Sequence, residues 1–123
     1  MRKSWVNTAL INFLIAASLG LLLRAAFVWD FDFDYKNLLH AHSHIATLGW
    51  VYLILYALLV DYFIPIEKRK SPVYNRLFWF TQLTVLGMLF SFPFQGYGAI
   101  SITFSSLHIC ASYYFARLLW RDM

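Results

Sequence analysis

The chain has 123 residues, 61% hydrophobic and 13% charged, with a mean hydropathy of +0.60. Soluble domains carry about 45–50% apolar and about 25% charged residues, so composition excludes an ordinary soluble globule, and the length leaves room for one domain. The net charge of +4 falls at the ends of long apolar runs, a pattern that sets membrane orientation and gives no reason to expect a nucleic-acid partner; the runs also exclude disorder, collagen and a soluble coiled coil.

Four apolar runs follow in chain order, at about 5–29, 38–64, 77–94 and 97–120. Each approaches the ~20 residues that a bilayer core demands of a helix. Backbone groups in lipid must be satisfied internally, which makes these runs helices, and the alternation of barrel strands is missing. The expected fold is an all-α membrane protein, with residues 1–123 forming one four-transmembrane-helix bundle. Arg2 and Lys3 before an apolar stretch imitate a signal peptide. That stretch exceeds an h-region and no small-residue cleavage site follows, so a retained helix is expected.

The connections fix the orientation. The first carries Asp30, Asp32 and Asp34 against Lys36, and reads as a solvated loop. The second carries Lys68, Arg69, Lys70 and Arg76 against Glu67. The positive-inside rule puts this basic loop in the cytoplasm. Arg2, Lys3, Arg117 and Arg121 then fall on the same side, with both termini cytoplasmic. Trp5, Trp79 and Trp120 lie near the inner interface and Trp29 near the outer one. Pro93 is expected to kink or end the third helix, and Gly96 and Gly98 to make the turn into the fourth. Cys110 is alone, so there is no internal disulfide or cysteine metal site; in apolar surroundings it reads as an inert buried thiol.

Ionisable groups inside spans are costly and usually face a bundle interior or a site. Here they are His40, His42 and His44 in the second helix, His108 in the fourth and Arg24 in the first. Counted from the outer ends of their helices, His44 lies about 9 Å deep and His108 about 11–16 Å. Arg24 is expected in the same outer layer. At about 100° per residue, His40, His44, Thr47 and Val51 share a stripe, while His42 faces the other way with Ala46 and Gly49. Ser101, Ser105, His108 and Ser112 form a stripe on the fourth helix; Thr84, Met88, Ser91 and Gln95 on the third; Ala17, Gly20 and Arg24 on the first. Such small and weakly polar stripes pack against one another in membranes, so His44, His108 and Arg24 are expected to converge.

Two inward histidines from different helices suit bis-imidazole ligation of heme iron. Arg24 would then pair with a propionate; otherwise it snorkels to the headgroups. A second chemistry is a copper or zinc site of His40, His42, His44 and His108. A third reading leaves the histidines as hydrogen-bonding groups of a scaffold or assembly subunit. Met88 reads as core filling. Gly49 either permits close helix packing or lets a flat macrocycle approach the backbone.

The stretch HAHSHIATLGW, residues 40–50, resembles the histidine-bearing second helix of heme-copper oxidase subunit I and its relatives, read from His42, His44, Gly49 and Trp50. The stretch FPFQGYGAISITFSSLHICASYYF, residues 92–115, resembles the continuation in larger subunit-I-like membrane proteins of Bacteroidetes-type bacteria. The resemblance implies a multi-pass protein of the bacterial inner membrane that holds b-type heme. Its second-helix ligand would be His44, with His42 as competitor. The family's second low-spin ligand lies on a much later helix, so His108 enters from depth and facing alone. The copper motif of the H-P-E-V-Y type and the adjacent His-His pair of complete oxidases are missing here. The expectation is therefore an electron-transfer or oxidase-associated protein, not an enzyme alone. It would exchange electrons with a quinone or redox partner protein, as a single copy or as a homo-oligomer.

Overall fold

A computed structural model describes residues 3–28, 35–95 and 98–123, with the side chains of 92–95 left aside. Every regular element among them is helical. Helix α1 spans Lys3–Ala25. The second rod is continuous but changes its winding. It begins as α2, Tyr35–His44, widens into a π-helical segment, Ile45–Val51, and resumes as α3, Tyr52–Phe63. A short α4, Ile66–Arg69, precedes α5, Pro72–Gln95, and α6, Ala99–Asp122.

Local chemistry accounts for the boundaries. Ile64 leaves α3 with extended backbone angles and Pro65 follows. Arg69 Nε donates to the Ile64 carbonyl at 2.6 Å and so satisfies one of the acceptors orphaned at that helix end. Pro72 opens α5 at the first helical position, where its missing N–H costs nothing. The third apolar helix therefore starts five residues before the expected 77. The helix also runs through Pro93 to Gln95, where an end or kink was expected. The expected placements of Arg2, Trp29, Asp30, Asp32, Asp34 and Gly96 lie outside the described residues.

By length and composition, two helices can cross a membrane: Lys3–Ala25 and Tyr35–Phe63. Only 22% of the apolar window of the first and 33% of that of the second is buried inside the structure. Most of their apolar surface thus faces outward, unlike the central helix of a soluble core.

The second rod is central and packs on α1 and α5; α6 rests mainly on α5 and touches α3 sparsely. One end of the bundle is aromatic. Trp5 stacks on Phe78 at 4.9 Å and meets Tyr56 edge-on at 5.3 Å, and Tyr56 stacks on Phe115 at 4.1 Å. Trp5 Nε1 donates to Asn75 Oδ1 at 3.1 Å. The Tyr74 hydroxyl donates to Asp122. These contacts bring the first turn of α1, the first turn of α5 and the last turn of α6 to one end.

Two apolar clusters fill the interior. One holds Trp5, Ala9, Leu53, Tyr56 and Phe78, the other Ala16, Ala41, Ile45, Val85 and Met88. Asn12, Gly49, Gln82 and His108 lie between them along their helices and are all buried.

Candidate functional site

The layer between the clusters starts with an amide pair. Asn12 Nδ2 donates to the Gly49 carbonyl at 2.9 Å and to Gln82 Oε1 at 2.7 Å. Gln82 Nε2 donates back to Asn12 Oδ1 at 3.3 Å. A carbonyl only accepts, so the Gly49 contact fixes the Asn12 amide orientation. Gly49 is closely covered: a Cβ there would stand 2.9 Å from Val85 Cγ1 and 3.2 Å from Asn12 Nδ2. The space above this glycine is filled by neighbouring side chains, so Gly49 serves close helix packing and leaves no room for a flat macrocycle against its backbone.

The π-helical segment sets the histidines. Its closing bond runs from the Tyr52 N–H to the Thr47 carbonyl, five residues back. Wider turns of this kind are rare and occur frequently at functional sites. Buried positions fall every fourth residue, at Ala41, Ile45, Gly49 and Leu53, a slower rotation than the 3.6-residue turn. The expected inward stripe is corrected accordingly. Thr47 and Val51 are exposed, while His40 and His44 are half-buried at its outer end.

His42, expected on the opposite face, packs against α1. Its Nδ1–H donates to the Ala16 carbonyl at 2.8 Å, over Gly20, where a Cβ would stand 3.1 Å from His42 Cε1. His44 Nδ1–H donates to the His40 carbonyl of its own helix at 2.8 Å. Both acceptors are carbonyls, so Nδ1 is the donor in each ring. This is the usual setting of a ligating histidine, held at one nitrogen and coordinating through the other.

His108 is 2% exposed; no partner meets strict hydrogen-bond geometry at its Nε2, and the Leu48 backbone lies within looser hydrogen-bonding reach of the ring. Buried polar atoms are nearly always satisfied, so an orphan needs an explanation. The ring is directed toward Leu48 of the π-helical segment, and His44 lies near enough to act on it electrostatically. Tyr52 covers it edge-on with ring centroids 4.8 Å apart, and Ser112 Oγ stands 3.5 Å from Nδ1. The buried Tyr52 hydroxyl meets no partner in strict hydrogen-bond geometry, with the Ser112 side chain in looser reach.

The remaining expected residues divide. Thr84, Met88 and Ser91 are buried, as their stripe implied, and so are Ser101 and His108. On α1 the packed face is Trp5, Ala9, Asn12, Ala16 and Leu23, one position away from the expected stripe, and Ala17 and Arg24 are exposed. Arg24 is twelve residues beyond Asn12, about 18 Å along the helix. It stands in the last turn, where a cation complements the helix dipole, and it does not share the layer of His108. Among the described residues no group of three or more His, Cys, Asp or Glu side chains is arranged to hold a metal ion, so His40, His42, His44 and His108 do not form the expected copper or zinc cluster there. Cys110 is exposed on α6 rather than buried.

Sequence reasoning missed the Asn12–Gln82 pair. The signal was present: both are strongly polar residues inside apolar runs, the same cue that singled out the histidines. Comparison with protein-family models, curated proteins and solved structures finds no match to the chain.

Proposed function

We propose that the chain is a four-pass helical membrane module, related to heme-copper oxidase subunit I, that holds b-type heme between His44 and His108. Both termini and the basic second connection face the cytoplasm of a bacterial inner membrane in this reading. The observation that carries it is the buried Nε2 of His108, which meets no partner in strict hydrogen-bond geometry and faces the Leu48 backbone, in the turn that follows His44. Two features support four passes. Large apolar side chains of α5 and α6 stand outward, among them Leu83 at 60%, Phe90 at 67% and Tyr113 at 75% exposure. The basic residues of α4 and of the end of α6 gather at the end where α1 begins.

The donor set fits the group. His44 is held at Nδ1 by a backbone carbonyl and so orients Nε2. His108 supplies the second imidazole nitrogen from α6, and Tyr52 shields it from water. A flat ring between them would displace the aromatic contacts that fill the α3–α6 seam, Tyr52 on His108 and Tyr56 on Phe115. When bound, heme supplies one-electron transfer, and the protein tunes it through burial and ligand orientation. The partner in this reading is a quinone or a redox protein, and a second copy of the chain is compatible with it. Arg24 has no role in holding the group.

The test is a reduced-minus-oxidised visible spectrum of the detergent-purified protein expressed with ample heme. Sharp reduced bands that disappear in His44→Ala and His108→Ala support the reading. A sample without a Soret band overturns it.

A further inference from the structure

The aromatic end of the bundle holds a cavity of about 200 Å³ lined by Trp5 of α1, Ala57, Val60 and Asp61 of α3, Ile66 and Arg69 of α4, and Lys70. We propose that this cavity binds the phosphodiester headgroup of an anionic phospholipid. The proposal rests on the membrane reading above and not on the heme.

Chemistry and place both point to this ligand. The cavity combines apolar walls (Trp5, Ala57, Val60 and Ile66) with two cations and one carboxylate at its rim. Arg69 is fixed there by its bonds to the Ile64 carbonyl and, at 3.3 Å, to Asp61. Asp61 balances one cation, and Lys70 leaves the rim net positive. On α3 the walls run from Asp61 back to Ala57, just over one turn and about 6 Å toward the apolar middle. A free inorganic anion has no use for such walls. A lipid uses both parts, because its phosphate meets the cations while its first methylenes run along the walls. The volume is below the roughly 300–1,000 Å³ of drug-sized ligand pockets, so it takes a headgroup rather than a whole cofactor. The neighbouring surface is apolar and open, with Tyr62 83% and Phe63 50% exposed, and gives the acyl chains a continuous path. Basic pockets of this kind between membrane helices on the cytoplasmic side bind anionic headgroups.

The experiment uses the full chain in neutral detergent. Short-chain phosphatidylglycerol, short-chain phosphatidylcholine and inorganic phosphate are titrated separately, and the melting temperature is followed. Phosphatidylglycerol is expected to raise it saturably at lower concentration than phosphatidylcholine. Lys70→Gln should shift the half-effect concentration upward about fivefold, the consequence of removing one cation near an anionic headgroup. Arg117→Gln, at the same end but outside the cavity, should leave it unchanged. Arg69→Gln serves as a second variant where it folds, and Lys70→Gln carries the test where it does not.

Equal effects of the two lipids overturn the proposal. So does a full effect from inorganic phosphate, which makes this a free-anion site. A loss in Arg117→Gln equal to that in Lys70→Gln also overturns it, because attraction is then spread over the whole end. Carbonate extraction of the chain from vesicles tests the membrane reading separately: a chain released by carbonate fails that reading, and a retained chain with equal lipid effects fails only this one.

Discussion

Asn12 and Gln82 hold each other by two reciprocal amide hydrogen bonds, at 2.7 and 3.3 Å, across the centre of the bundle. Because Asn12 also takes the Gly49 carbonyl, one side chain joins three helical rods. Asn12→Ala should destabilise by about 1–2 kcal/mol, since it leaves a buried carbonyl and a buried amide without partners. Asn12→Leu with Gln82→Leu should recover a large part of that loss, because both polar partners leave together. Reversible unfolding in mixed micelles measures both, and a double variant as unstable as the single one would show that the pair is not the unit.

Gly49→Ala places a methyl group 2.9 Å from Val85 Cγ1. The second rod and α5 must then separate, at a cost of about 1–3 kcal/mol. Val85→Ala in the same chain should restore part of the melting temperature. A Gly49→Ala protein as stable as the parent would contradict the close approach.

The Asp122 side chain lies beyond the proposed spans and titrates in a defined setting. Hydrogen bonds from Arg121 first, then from Tyr74, hold its carboxyl below the usual carboxylate range. Burial first, then Asp122, pushes the Tyr74 phenol above its ordinary value. A carboxyl lowered by folding contributes stability at pH above its unfolded value, about 4, and loses it as pH falls through the folded value. A phenol raised by folding contributes below its unfolded value, about 10, and loses it as pH rises through the folded one. The melting temperature should therefore fall below about pH 4 and above about pH 10. Asp122→Asn should flatten the acid limb and Tyr74→Phe the alkaline one. Melting curves across pH check this, and an acid limb unchanged in Asp122→Asn would assign it elsewhere.

His42 and His44 should separate functionally. His42 is tied to α1 over Gly20, so His42→Ala should cost about 1 kcal/mol and leave the proposed heme spectrum in place. Gly20→Ala should push the ring aside with a similar small loss. A spectrum abolished by His42→Ala and kept by His44→Ala would reverse the ligand assignment.

The apolar runs made the helices legible, since nothing but a helix accommodates such stretches in lipid, and the stripes on α5 and α6 were readable from a regular 3.6-residue turn. The second rod defeated the same wheel. Its buried face is Ala41, Ile45, Gly49 and Leu53, already set before the winding changes at Ile45, so the stripe of His40, His44, Thr47 and Val51 lies on a different face from the start. No local residue pattern announces this change. The bonds that accompany it are tertiary, from Asn12 to Gly49, and local, from the Thr47 hydroxyl to the Ser43 carbonyl. Arg24 was misplaced because a cation near a helix end has solvent within reach, and facing alone does not say whether it takes that route.

The amide partners are 70 residues apart in sequence, and in a bilayer that separation orders assembly. A nascent chain that has delivered only its first two rods has Asn12 and the Gly49 carbonyl in place but no Gln82. On the four-pass reading proposed above, the Asn12 amide layer is completed only when α5 joins the first two rods, so the most polar contact of the interior is also a late one.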